Sequence, residues 1–222
     1  MGAGRVRRVH LLVEGQTEES VVRSILTPYL RDSSIWVTYS VLATSRSAAG
    51  AKFRGGASTW HRINREVRSL LHDSSIHVLT TMIDYYGMPA DTPGMASRPQ
   101  AGPRERVGHV EAAMAAAVGS PRFWPHLTLH ELEAWVLAAG DALAEYLVEP
   151  AVAASIAEIT GSAGGPELVN DGLATAPSKR LAQLYPAYEK IAHGPIAIRR
   201  AGLKSVLAQC PHAAAWIESL RA

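Results

Sequence analysis

Three short apolar runs in this chain each stop at a carboxylate. Residues 9–13 (VHLLV) lead directly into Glu14, 76–83 (IHVLTTMI) into Asp84, and 123–130 (FWPHLTLH) into Glu131 and Glu133. Nearly uninterrupted apolar runs of this length predict strands buried on both faces, the type found in parallel sheets. Residues 35–43 (IWVTYSVLA), rich in β-branched and aromatic side chains, predict a further strand. The intervening segments have helical spacing. Val21, Val22, Ile25, Leu26 and Leu30 share one face after a Thr17 N-cap, Trp60, Ile63, Val67 and Leu70 share another, and 105–118 is Ala-rich. Strand and helix in alternation predict an α/β fold with a mainly parallel sheet flanked by helices. From about residue 141 the pattern is helical only, over 141–158, 178–190, 196–208 and 211–221. The expected organisation is therefore a catalytic domain over 1–140 and a helical C-terminal subdomain over 141–222.

Charge sets limits on function. Lys and Arg total 22 against 20 acidic residues, a net charge of +2, which excludes a polycationic packaging protein. The balance is uneven: residues 1–68 carry 11 basic and 5 acidic side chains, and the rest carry 11 and 15. One part of the molecule can meet a polyanion while another gathers carboxylates. The single cysteine, Cys210, excludes an internal disulfide and a multi-cysteine zinc site, and it fits a reducing cytoplasm. The sequence has no apolar run long enough to span a bilayer, so no membrane association is expected.

In open α/β sheets, sites form at the carboxyl ends of the strands. Glu14, Asp84, Glu131 and Glu133 follow three such ends. Oxygen donors of this kind suit magnesium or manganese. Taken singly, each acid reads better as a solvated residue at a helix start, whereas acids at three strand ends together favour a cation site. Glu131 and Glu133 share a face if their segment is extended, and diverge by roughly 200° if it is helical. Tyr85 and Tyr86, beside Asp84, read either as base-stacking residues or as packing under the following loop. The H-E-L-E-A run at 130–134 is not a zinc-protease motif, because the second His is missing. The chain also lacks a P-loop and a G-x-S-x-G elbow.

VEGQTEESVV at 13–22, GGASTWHRI at 55–63, MIDYYGMP at 82–89, HELEAWVL at 130–137 and PSKRL at 177–181 occur in this order. Together they resemble the DUF4276 group of TOPRIM-like proteins. The resemblance implies a TOPRIM-type fold, shared with topoisomerases, primases and OLD-family nucleases, in which acids after successive strands bind magnesium. Carried over by position, Glu14 is the first-strand glutamate and Asp84 the first acid of the usual D-x-D pair. Position 86 is Tyr, so either Glu131 or Glu133 completes the site or the site is weaker than in topoisomerases. The resemblance also implies an ABC- or SMC-like ATPase partner in a bacterial anti-phage system. In OLD nucleases a lysine assists near the metals, a role that Lys179 or Lys190 would fill here.

Basic residues supply a candidate nucleic-acid track. Arg46, Lys52 and Arg54 precede the 59–72 helix, on which Arg65 and Arg68 lie with His61 and His72 along one stripe. An ordinary solvated helix face reads as well. Lys179 and Arg180 follow Ser178, a candidate N-cap, and so oppose the helix dipole unless an anion is bound there; Lys190 is a further candidate. The leading expectation is a magnesium-dependent nuclease acting on DNA or RNA. Its rivals are a catalytically weak binding or sensing subunit of an ATPase complex, and a metal-dependent phosphatase or nucleotidyl transferase. The sequence leaves open whether the chain forms a homo-oligomer.

Overall fold

The computed structural model describes residues 6–42, 59–169 and 175–222. Arg46, Lys52, Arg54 and the first part of the 55–63 motif lie outside the described residues. Five parallel strands form the sheet: β1 (Arg7–Val13), β2 (Ile35–Val41), β3 (Val78–Asp84), β4 (Phe123–Trp124) and β5 (Leu127–Thr128). Their order is β2-β1-β3-β4, with β5 also paired to β3. The fold is α/β with flanking helices and a helical C-terminal region, consistent with a TOPRIM-like architecture. Side-chain alternation along the strands separates two cores. Val9, Leu11 and Val13 enter one, and Leu12, Leu79 and Ile83 enter the other.

The chain after β1 is helical from Gln16 to Arg31. It comprises α1 (Gln16–Val21), a π-helical turn (Val22–Leu26) and α2 (Thr27–Arg31). The cap is Gly15, not Thr17, so Glu18 enters the first turn. Two helices cover the second core: α3 (Trp60–Leu71), which buries Ile63 and Val67, and α4 (Pro103–Val118), which buries Val107, Val110 and Met114. Asp91 caps α3 from a distance, accepting the Trp60 N–H at 3.1 Å.

The expected single strand over 123–130 is two short pieces. Pro125 lacks an N–H and breaks the ladder. The Thr81 hydroxyl replaces the lost bonds, accepting from His126 N at 2.9 Å and donating to His126 O at 2.8 Å. After β5, His130 takes a left-handed conformation (φ 64°) that turns the chain into α5 (Glu133–Ala138).

The remaining helices are α6 (Gly140–Leu147), α7 (Pro150–Ala163), α8 (Pro177–Leu184), α9 (Lys190–Ala201), α10 (Leu203–Gln209) and α11 (Pro211–Arg221). The 141–158 segment divides before Pro150, which takes the first position of its own helix. In contrast, α9 runs through Pro195, where a break was expected. Helix α8 starts at Pro177 with Ala176 as its cap, so Ser178 already lies within the first turn. The C-terminal helices do not stand apart: Ala197, Ile198, Val206, Trp216 and Ile217 share one core with Val9, Leu11 and Val13. Among the described residues no helix is long and apolar enough to cross a membrane.

Candidate active site

The three acid-bearing strand ends meet. Because β1 and β3 are neighbours in parallel register, Val13 pairs with Met82 and their C-termini emerge together. The Glu14 carboxylate accepts the Asp84 backbone N–H at 2.9 Å. Asp84 pairs with Thr128 of β5, and its own carboxylate accepts the Leu132 N–H at 2.9 Å. This bond holds the turn between Glu131 and Glu133. Glu131 is irregular and Glu133 opens α5, yet both reach the same ammonium. Lys190 Nζ lies 3.0 Å from Glu133 Oε1 and 4.0 Å from Glu131 Oε1. The second oxygen of Glu131 accepts the Ser178 N–H at 2.9 Å, so the first turn of α8 faces the cluster.

A fifth acid joins them that the strand-end pattern did not single out. Glu18 is buried on the first turn after Gly15. By sequence alone Glu18 reads as an acid matched to the dipole at a helix start, and its one signal is its position one turn after Glu14. Glycine permits the crowding: a Cβ on Gly87 would come within 3.1 Å of Glu14 Oε1, and one on Gly15 within 3.3 Å of Glu18 Oε2.

Burial and mutual repulsion push Glu14, Glu18, Asp84 and Glu133 toward the protonated state. Burial raises Glu14, offset in part by the Asp84 N–H and by Lys190. Burial, and then the charges of Glu14 and Glu133, raise Glu18 to about 7. Asp84 is raised well above the usual carboxylate range by burial and by Glu14, Glu18 and Glu133. Glu133 is raised by burial, against the pull of Lys190. Lys190 loses to burial but gains more from Glu133 and Glu131, so it holds its proton more firmly than a free lysine. Five carboxylates thus face one ammonium. Their donors are all oxygen, the kind of donor that hard divalent cations take.

The other candidate residues divide. Tyr86 occupies the second D-x-D position and is partly exposed, its ring 5.5 Å from that of His130. Tyr85 is core, and its hydroxyl accepts from Arg98 at 2.9 Å. Arg180 and Arg106 line a cleft of about 560 Å³ together with His130, the residue before Glu131. Lys179 is exposed on α8 and forms no ion pair among the described residues. Arg65, Arg68, His61 and His72 line a shallow groove on α3, where Arg68 also donates to Asn64 and to Ala117 O. A separate Glu-His-His group at Glu111, His126 and His212 has ligand atoms within 4.8 Å of one another and could hold a metal ion. Nothing in the sequence joined these three, because 15 and 86 positions separate them.

The model of the family described as "Domain of unknown function (DUF4276)" matches residues 13–221. The chain belongs to the DUF4276 family. The match begins one residue before Glu14 and includes every acid of the cluster. No curated protein matches this DUF4276 chain significantly, and no solved structure does so either.

Proposed function

We propose that this DUF4276 protein is a magnesium-dependent phosphodiesterase acting on DNA or RNA. It serves as the nuclease effector of a bacterial anti-phage system and works with an ABC- or SMC-like ATPase. The observation that carries the activity is the gathering of Glu14, Asp84, Glu131 and Glu133, with Glu18, around Lys190 at adjoining strand ends. The ATPase and the defence setting come from the family resemblance.

Glu14, Asp84, Glu131 and Glu133 would hold the ion, which supplies charge neutralisation at the phosphate and an acidified water. The protein's own groups do the rest. Asp84 braces the Glu131–Glu133 turn through Leu132 N, which keeps the carboxylates pre-organised. Lys190, held against Glu133, keeps a positive charge beside the position of the scissile phosphate. Arg106 and Arg180 offer guanidinium groups to flanking phosphates along the adjoining cleft.

The test is cleavage of single- and double-stranded DNA and RNA in magnesium, with and without a co-purified ATPase. Glu14→Gln and Asp84→Asn should each abolish cleavage without changing the circular dichroism. Cleavage that survives either substitution would reject that residue as a ligand. A second reading, a binding or sensing subunit, is favoured by Tyr86 in place of an acid and by Lys190 neutralising the cluster. Magnesium-independent nucleic-acid binding with no cleavage under any condition would establish that reading instead.

A further inference from the structure

Away from the carboxylate cluster, three separate elements aim metal-ligating atoms at one point. Glu111 comes from α4, His126 from the break between β4 and β5, and His212 from the first turn of α11. His212 Nε2 lies 3.0 Å from Glu111 Oε1, and His126 Nδ1 lies 3.5 Å from the same oxygen. The latter distance is long for a hydrogen bond. It is instead close to the edge of a tetrahedral zinc site, about 3.3–3.5 Å for zinc–ligand bonds of about 2.0–2.1 Å.

The His126 ring is fixed by stacking. It is 2% exposed and lies between Trp216, with centroids 4.1 Å apart and planes within 3°, and His212, 5.0 Å away. Its Nε2 is buried with no hydrogen-bond partner, so Nδ1 is the ring's one engaged atom, and it points at Glu111. The backbone on either side is anchored as well: Thr81 holds His126, and the Leu127 N–H donates to Glu111 Oε1 at 2.7 Å. Glu111 and His212 keep 16% and 15% of their side-chain surface exposed, leaving a path for an ion and for a fourth ligand from water.

We propose that Glu111, His126 and His212 form a zinc site that clasps α11 to α4 and the sheet. Two imidazoles and one carboxylate select zinc over magnesium. The site is independent of the carboxylate cluster and of any reaction there. It acts on stability, because an ion bound only by the folded chain raises the unfolding temperature.

The test is zinc binding to the full chain after chelator treatment, followed by calorimetry and by cobalt(II) absorption, with thermal unfolding in parallel. The expected result is one zinc per chain, tetrahedral cobalt bands, and a rise in Tm of about 5–10 °C at a hundredfold excess over Kd. His212→Ala, at the partly exposed ligand, should weaken zinc binding at least tenfold and remove the Tm rise. Glu111→Gln should do the same, while Asp84→Asn should leave zinc binding intact. Failure of the wild-type chain to bind zinc would overturn the proposal. So would zinc binding lost in Asp84→Asn but kept in His212→Ala, which would place the ion in the carboxylate cluster.

Discussion

Glu18 shows how one buried acid can oppose stability and still be kept. Its carboxyl is raised from 4.5 to about 7, so between those values the folded chain binds a proton that the unfolded chain has released. Its contribution is fully present below pH 4.5 and is lost as pH rises through about 7. Glu18→Gln should therefore stabilise the protein at pH 8 by up to about 3 kcal/mol, and by nothing at pH 4, as read by urea unfolding. Magnesium should narrow the gap at pH 8 if the cluster takes the ion. Equal stabilisation at both pH values would show that packing, not charge, is the cause. His10 has the opposite sign. Burial, and then the Arg8 charge, lower it from 6.5 to about 4, with its ring nitrogens 2.9 Å from Thr38 Oγ1 and 3.0 Å from Ser40 Oγ. Here the unfolded chain binds the extra proton, so stability is present above pH 6.5 and lost as pH falls toward 4. His10→Gln should flatten that acid-side loss, and a variant with the wild-type slope would assign the loss to other groups.

Helix α8 carries its functional meaning at the element scale. Pro177 at its first position supplies no N–H, and the Ser178 N–H is taken by Glu131, which is a cap delivered from another element. Lys179 and Arg180 follow on the same turn, where the dipole disfavours cations. Removing both charges (Lys179→Gln, Arg180→Gln) should leave Tm unchanged or slightly higher. It should weaken nucleic-acid binding similarly across sequences and make its salt dependence shallower. Unaltered binding with a lower Tm would mean that the two cations serve the fold instead. The turn between β5 and α5 carries a second lesson. The 200° divergence expected of Glu131 and Glu133 assumed a regular helix. The left-handed His130 and the Asp84–Leu132 bond delay the helix, so both acids reach Lys190.

At the scale of the molecule, one of the two cores crosses the expected boundary at residue 140. Trp216 of α11 is buried and donates its indole N–H to Thr80 in the central strand at 2.9 Å, and Ile217 and Leu220 beside it are also buried. Trp216→Ala should cost about 3–5 kcal/mol, and thermal unfolding of the full chain should show a single transition. Two well-separated transitions would instead establish 1–140 and 141–222 as independent folding units. The sequence by itself determined the strand–helix alternation, because side-chain periodicity reports burial within a single element. It also determined that acids end three strands, since those residues are neighbours in the chain. Only tertiary structure decided that Glu18 and Lys190 enter the same cluster, and that Glu111, His126 and His212 meet. Such contacts depend on sheet order, on the proline break at 125 and on how α9 and α11 pack, and none of these leaves a local signal in the residues that end up touching.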